Sequence, residues 1–305
     1  MVDIPDYAPL CAPPNRNPRA PKTKFPPLAC DTHAHIFEAR FPYSKERIYT
    51  PPDSTLADYK HLLKTLGCER AVLVQPSVYG DDNAAMLDAL ANCGPGFRAV
   101  AVTQPDVSDA EIEKLHQAGV RGLRFNVVDR RENKNQIPAD MLRNVARKIA
   151  ARGWHIELLV QLDEAAGFAS VLGKLGLAVV IGHLGYPKGL AKTWTQTRAF
   201  SDLLRLLDGD QCWIKLTGPY RITSEADMPY SDVTDPARRL IAHAPHRMIW
   251  GTDWPHVMKK KPMANDGDMT DLLDQWIPDA ATKKRILVDN PATLYGFGKD
   301  EKIAF

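Results

Sequence analysis

The sequence predicts an α/β protein of the (β/α)8 TIM-barrel type, formed by a single domain with an extended N-terminal arm. Two observations support this fold class: short runs of branched apolar residues alternate with amphipathic helical patterns, and eight such units fit within 305 residues. A doubly wound parallel sheet is the alternative, because a count of units does not show that a barrel closes.

Eight segments are typical of buried parallel strands, since each is short, apolar and rich in branched side chains. The predicted strands are the segment leading into DTHAHIF (31–37), RAVLVQ (70–75), FRAVAVT (97–103), VRGLRFN (120–126), WHIELLVQ (154–161), LAVVIGH (177–183), CWIKLTG (212–218) and RMIWGTD (247–253). Parallel strands need crossover connections, so a helix should follow each of them.

Helical patterns do lie between the strands, and several begin with Ser, Thr, Asn or Asp and end in Gly, the residues that cap helices. The predicted helices are residues 55–67, 83–94, 108–119, 139–153, 163–176, 197–209, 235–245 and 268–277. We divide the chain into a proline-rich arm, residues 1–27, and a barrel, residues 28–305.

The composition is ordinary for a soluble globular protein, with 44% hydrophobic and 25% charged residues. No apolar run is long enough to cross a membrane and the N-terminus lacks a secretory signal, so we expect a cytoplasmic protein without a membrane partner. The net charge of +2 is too small to indicate a nucleic-acid partner. Five scattered cysteines without a CxxC pair indicate reduced thiols. The oligomeric state stays open.

A barrel of this type carries its active site at the carboxyl ends of the strands. Polar residues at the predicted strand ends are His33, His35, Ser77, Arg124, Asn126, Gln161, His183, Thr217, Arg221, Asp253 and His256. Any one of them has a structural alternative as an ordinary hydrogen-bonded residue. Their concentration at the ends of several strands nevertheless predicts a shared site.

Asp253 is the candidate general base of this site. It lies in WGTDWPH between Trp250 and Trp254. Aromatic neighbours that exclude water raise the pKa of a carboxylate, which would suit a base, whereas adjacent imidazoles or a metal would oppose that shift. The alternative is a turn aspartate that binds its own backbone.

Arg124, Arg130 and Arg221 follow predicted strands, and guanidinium groups bind carboxylates through two parallel hydrogen bonds. They predict an anionic substrate with more than one carboxylate. The alternative is ion pairing with loop acids such as Asp129 or Asp106.

A single metal ion could be held at the same strand ends, since zinc accepts imidazole nitrogen and carboxylate oxygen and leaves a position for water. The candidate ligands are His33, His35, His183 and Asp253. A second metal is not expected, because strand 4 ends in Arg124 and strand 5 in Gln161, where a bridging ligand and a histidine would be needed.

The order of motifs resembles the amidohydrolase superfamily and, within its lactonase-like branch, the 2-pyrone-4,6-dicarboxylate lactonase family. The resemblance spans about residues 28–297 and is carried by DTHAHIF, IGHLG and WGTDWPH, together with FPYSKERIYTPP, VQPSVYGDDNAAMLDAL, RGLRFNVVDR, GWHIELLVQ, KLTGPYR and DNPATLYGF.

The resemblance implies a hydrolase that reversibly opens a di- or tricarboxylate lactone in the breakdown of lignin-derived aromatics. Asp253 would activate water and return the proton to the leaving enolate oxygen, and His33, His35 and His183 would polarise the lactone carbonyl. The substrate-binding residues would be Tyr49, Ser77, Arg124, Arg130 and Arg221, with His256 as a further candidate. No metal would be required, although one divalent ion such as zinc could be bound.

One position departs from the family: the tyrosine expected near the end of strand 5 is a leucine in HIELLVQ. The alternative is therefore a zinc-dependent lactonase of the same superfamily that acts on another anionic lactone, such as a sulfomuconolactone, or a related decarboxylase. A barrel that binds a dicarboxylate without turnover is the alternative outside enzymes.

Overall fold

The computed structural model describes residues 5–129, 132–187, 191–259 and 262–305. Its strands form one parallel sheet in sequential order. The strands are β1 (Cys30–Ala34), β2 (Arg70–Val74), β3 (Phe97–Ala101), β4 (Val120–Asn126), β5 (His155–Leu159), β6 (Val179–Ile181), β7 (Cys212–Leu216) and β8 (Met248–Trp250). The eight predicted strands are confirmed, and with them the (β/α)8 class.

The barrel closes between β1 and the segment just after β8. Ala34 and Trp254 form an isolated parallel bridge, in which the His35 amide donates to the Trp254 carbonyl at 2.9 Å. Below it, the buried Asp31 carboxylate accepts from the Thr252 amide at 2.9 Å and from the Thr252 hydroxyl at 2.6 Å. This seam fixes the backbone on both sides of His33 and Asp253.

The helices surround the sheet, and each predicted helical segment overlaps at least one of them. The described α-helices are α1 (Leu56–Leu66), α2 (Ala84–Ala91), α3 (Asp109–Gln117), α4 (Ala139–Ile149), α5 (Phe168–Leu172), α6 (Ala191–Trp194), α7 (Arg198–Leu207), α8 (Pro219–Ile222), α9 (Thr234–His243), α10 (Asp266–Thr270), α11 (Leu273–Trp276), α12 (Ala280–Lys284) and α13 (Asn290–Tyr295).

Two helical predictions were too simple. The segment 163–176 contains only five helical residues, because Gly167 adopts a left-handed conformation, φ 70°, immediately before α5. The segment 268–277 is divided between α10 and α11, since hydrogen bonds of shorter sequence spacing at Leu272 and Asp274 interrupt the α-helical ladder.

Capping explains the clearest helix boundary. The Thr55 side chain accepts from the Asp58 amide, while the Asp58 carboxylate accepts from the Thr55 amide, so two free amides at the start of α1 are satisfied. The helix ends at Gly67, whose φ of 85° most residues avoid.

Two apolar layers hold the barrel. A large cluster fills the space between helices and sheet, with Leu62, Leu63 and Leu73 among its members. A second cluster joins side chains from strands on opposite sides of the barrel, such as Val72 and Val180, and therefore lies inside it. Alternate residues of each strand serve the two layers, as expected for strands buried on both faces.

Residues 5–27 contain no helix and only an isolated bridge, between Leu10 and Thr50. The segment packs closely on the barrel at Gly267, where a Cβ would lie 2.1 Å from the Arg19 carbonyl oxygen. The boundary between arm and barrel at residue 27 stays a prediction. All five cysteines are buried and free of disulfides. None of the helices within the described ranges has the length and apolar character needed to cross a membrane.

Candidate active site

The carboxyl ends of β1, β6 and β8 bring three of the predicted residues together. The ligand-type atoms of His33, His183 and Asp253 all lie within 4.8 Å of one another, and all three residues are buried. His35, the fourth residue of the predicted group, is outside this set of three, although its ring lies 5.0 Å from that of His33. We call His33, His35, His183 and Asp253 the buried centre.

Unusual backbone conformations aim these side chains. His183, Asp253 and His256 have φ values of 51°, 62° and 66°, a left-handed conformation that non-glycine residues seldom adopt. The Asp253 amide donates to the His33 carbonyl at 2.9 Å, and the His183 amide donates to the Thr217 hydroxyl at 3.2 Å. These bonds from neighbouring strands hold the strained residues in place.

The Asp253 carboxylate has one engaged and one open oxygen. Oδ2 accepts from the Tyr220 hydroxyl and from Arg221 Nε, the latter at 2.6 Å, and both donors come from α8. Oδ1 has no hydrogen-bond partner among the described residues and lies 3.6 Å from His33 Nε2, which is equally unpartnered. A water molecule or substrate atom would find a base and an imidazole nitrogen at this point.

The two opposing influences on Asp253 considered from the sequence are both present. Burial acts to raise the pKa of Asp253, but Arg221, joined by His183, His33 and His35 once acid has protonated them, holds it well below its usual range. The aromatic neighbours therefore do not decide its protonation. Asp253 is a carboxylate at neutral pH, which is the form that a general base requires.

The imidazoles are neutral at neutral pH for the opposite reason. Burial lowers the pKa of His33 below its ordinary value and lowers those of His35 and His183 well below it. His35 Nδ1 donates to the Val74 carbonyl at 2.7 Å, so its Nε2 carries a lone pair in the neutral ring. His183 Nδ1 lies 2.8 Å from the Thr217 hydroxyl, which fixes the orientation of that ring.

A buried ion pair beneath the centre was missed by the sequence analysis. Lys215 Nζ donates to Glu157 Oε2 at 2.6 Å, and both side chains lie beside His33 Nδ1. Lys215 and Glu157 lie within β7 and β5, not at the strand ends from which the site was predicted. The available signal was a charged residue inside a strand that must be buried on both faces.

A cleft of about 380 Å³ opens next to the buried centre, at the ends of β2 to β4. Ser77 and Arg124 line it, and Arg124 Nη1 donates to the Gln75 carbonyl at 2.9 Å. The Tyr49 hydroxyl is hydrogen-bonded to Ser77, and burial raises the pKa of Tyr49 above its usual range. Three predicted binding residues thus share one side of the barrel mouth. We call this region the arginine cleft.

The other predicted binding residues have different surroundings. Arg221 is already paired with Asp253, and His256 Nε2 lies 2.8 Å from the buried Asp266 carboxylate. The predicted loop partner Asp129 accepts from Asn126. Arg130 lies outside the described residues, so its role stays a prediction, as do the binding roles of Arg221 and His256.

The donor atoms of the buried centre are of the kinds that bind a single divalent ion. Neutral imidazole nitrogen and carboxylate oxygen are the ligands that zinc accepts, and two of the three donor atoms, His33 Nε2 and Asp253 Oδ1, lack protein partners among the described residues. A requirement for the ion does not follow from this fit, because the same atoms could contact substrate and water.

The sequence model that describes the amidohydrolase family matches residues 30–297 of this chain. The 2-pyrone-4,6-dicarboxylate hydrolase of Comamonas testosteroni is 37% identical over 92% of this chain and 93% of its own length. The 4-sulfomuconolactone hydrolase of Hydrogenophaga intermedia is 35% identical over 95% of this chain and 96% of its own. A solved structure from Agrobacterium tumefaciens superposes with a TM-score of 0.82 at 28% identity, covering 92% of this chain and 99% of that one. This chain belongs to the amidohydrolase family.

Proposed function

We propose that this protein is a lactonase that hydrolyses 2-pyrone-4,6-dicarboxylate, reversibly, to a 4-carboxy-2-hydroxymuconate or 4-oxalomesaconate-type product. The observation that carries the proposal is the open Asp253 Oδ1, 3.6 Å from the unpartnered His33 Nε2 and next to a cleft that contains Arg124. The reaction needs a base for the attacking water, a group that contacts the lactone carbonyl and a cation that binds a substrate carboxylate. The activity of the Comamonas testosteroni relative supports the same substrate.

Asp253 takes the proton from the attacking water through Oδ1. Its other oxygen is held by Tyr220 and Arg221, so the carboxylate keeps one orientation while the proton is transferred. Water adds to the lactone carbonyl carbon, and the ring C–O bond then breaks. The proton held by Asp253 passes to the leaving enolate oxygen, which completes the ring opening and leaves Asp253 ionised.

The lactone carbonyl oxygen gains negative charge as water adds, and an imidazole N–H of His33 or His183 stabilises it, since the free Nε2 of His35 holds a lone pair and cannot donate. Buried, preoriented donors are effective because they need no reorganisation during the reaction. A divalent ion, when bound by His33, His183 and Asp253, would supply Lewis-acid polarisation of that carbonyl. The proposed reaction does not require one.

The substrate carboxylates are bound on the side of the arginine cleft. Arg124 supplies the positive charge, and Ser77 and Tyr49 supply hydroxyl groups linked to each other. Arg130, Arg221 and His256 complete the proposed binding set. Substrate charge is thus recognised beside the buried centre, so the lactone carbonyl can lie against Asp253 Oδ1 and His33 Nε2.

The proposal is tested by incubating the purified protein with 2-pyrone-4,6-dicarboxylate and following the loss of pyrone absorbance, then repeating the reaction from the open-chain product. Turnover in both directions is the expected result. Absence of turnover in both directions, by protein that is folded by circular dichroism, would rule out this substrate.

A second candidate is a zinc-dependent hydrolase of a sulfomuconolactone. The Hydrogenophaga intermedia relative and the metal-compatible set of His33, His183 and Asp253 favour it. The two candidates differ in two measurements, namely kcat/KM for each lactone and the effect of a chelator. Activity abolished by chelation and restored by zinc, with preference for the sulfonated lactone, would favour the second candidate.

A further inference from the structure

The ion pair below the buried centre has a contact that neither candidate function uses. Glu157 and Lys215 point into the barrel from β5 and β7, where Lys215 is 0% and Glu157 2% exposed. A charged pair so deeply buried carries a large desolvation cost, which apolar residues would avoid.

Lys215 Nζ carries three N–H groups and has three hydrogen-bond contacts among the described residues. Nζ lies 2.6 Å from Glu157 Oε2, 2.8 Å from the Thr32 carbonyl oxygen and 3.2 Å from His33 Nδ1. An ammonium group donates and cannot accept. The first two contacts are to oxygens that accept, which leaves the third N–H for His33 Nδ1, a nitrogen that Glu157 Oε1 also approaches at 3.4 Å.

We propose that Lys215 is a positioning residue that fixes neutral His33 as the tautomer protonated at Nε2. A nitrogen that accepts from an ammonium group offers its lone pair, so the single ring proton of His33 lies on the other nitrogen. That Nε2–H points toward Asp253 Oδ1, 3.6 Å away. His35 has the opposite tautomer, because its Nδ1 donates to Val74. The two histidines of HxH thus present one donor and one lone pair.

The tautomer of His33 matters for both candidate reactions. Nε2–H can donate to a lactone carbonyl, whereas a metal needs the lone pair of that nitrogen. Metal binding at Nε2 requires the proton to move to Nδ1, where Glu157 Oε1 lies 3.4 Å away and can accept it. Lys215 therefore favours the donor form of His33, and Glu157 favours the ligand form. The catalytic use of the Nε2 proton rests on the proposed function; its position does not.

The direct test is nitrogen NMR of the full-length protein with histidine labelled in both ring nitrogens. The His33 signals are assigned by their loss in His33→Gln. We expect the shift of a lone-pair nitrogen at Nδ1 and of a protonated nitrogen at Nε2. The reverse pattern in the wild-type protein would overturn the proposal, and this result does not depend on any Lys215 variant folding.

Two variants separate the opposing influences of Lys215 and Glu157 on the tautomer of His33. Lys215→Met should move the His33 proton to Nδ1, raise zinc affinity and lower kcat for the lactone more than it changes KM. Glu157→Gln should keep the wild-type tautomer and weaken zinc binding by about ten- to a hundred-fold. Zinc affinity is measured by competition with a chromogenic chelator. Lys259→Met is the matched control, since Lys259 Nζ contacts the Tyr220 carbonyl and should leave the His33 spectrum unchanged.

Failure of this inference and failure of the proposed function give different results. A spectrum with the proton on His33 Nε2, but no turnover of either lactone, would support the tautomer and rule out the proposed function. Turnover of the pyrone, together with a spectrum that places the proton on His33 Nδ1, would support the function and rule out the proposed role of Lys215.

Discussion

The buried centre and the arginine cleft lie side by side at the barrel mouth but are built differently. Each buried-centre residue is held by partners from other strands or from α8, such as Val74 for His35 and Thr217 for His183. The cleft residues are bordered by loops, and the hydrogen bond of Arg124 among the described residues is to the Gln75 carbonyl. Hydrogen-bond partners on several sides thus fix the buried centre, whereas Arg124, although it lies in β4, extends into a cleft that loops border.

The first prediction tests the buried centre and has the largest expected effect. Asp253→Asn should lower kcat by about a hundred- to ten-thousand-fold with little change in KM, because the amide cannot take the proton from water. Asp129→Asn is the control: it removes a carboxylate that lines the cleft and accepts from Asn126, away from the reacting atoms, and should keep most of kcat. Nearly normal kcat in Asp253→Asn would contradict its role as general base.

The second prediction tests the arginine cleft. Arg124→Met should raise KM for the pyrone dicarboxylate by roughly ten- to a hundred-fold, as expected for the loss of a hydrogen bond to a charged group. The fall in kcat should be smaller. A neutral pyrone lactone without carboxylates provides the comparison, since its KM should be unaffected. An equal loss with both lactones would show that Arg124 serves the structure instead.

The third prediction concerns pH. Arg221 lowers the pKa of Asp253 well below its ordinary value, so in the wild type the carboxylate and its ion pair persist as the pH falls through that ordinary value and are lost only at still lower pH. Arg221→Gln removes the main favourable charge, so the pKa of Asp253 should rise. The acidic limb of the kcat/KM profile should therefore move to higher pH in this variant. An unchanged limb would show that Arg221 does not set the ionisation of Asp253.

The fourth prediction has the smallest effect. Ser77→Ala removes a neutral hydroxyl that lines the cleft and hydrogen-bonds Tyr49. The loss of one such bond is worth about 0.5–1.5 kcal/mol, so KM should rise roughly two- to ten-fold at unchanged kcat. Tyr49→Phe, measured alone and with Ser77→Ala, reveals whether the two hydroxyls act together. Strictly additive effects would argue against a shared binding role.

Much of the fold was predictable because each strand is a local apolar run and each long helix has a local amphipathic pattern. The trio of His33, His183 and Asp253 was predictable because its members follow strand ends, which a parallel barrel gathers at one mouth. The partners of these residues were not, since Glu157, Lys215 and Tyr220 approach them only through space. The pairing of Arg221 with Asp253 shows the same limit, because spacing along the chain does not tell which carboxylate an arginine meets.

The role of Asp253 in lactone hydrolysis is decided by comparing the wild-type protein with Asp253→Asn on 2-pyrone-4,6-dicarboxylate while the pyrone absorbance is followed over time. We expect steady loss of absorbance with the wild type and almost none with the variant, at similar substrate binding. No loss with the folded wild type, or equal loss with both proteins, would contradict it.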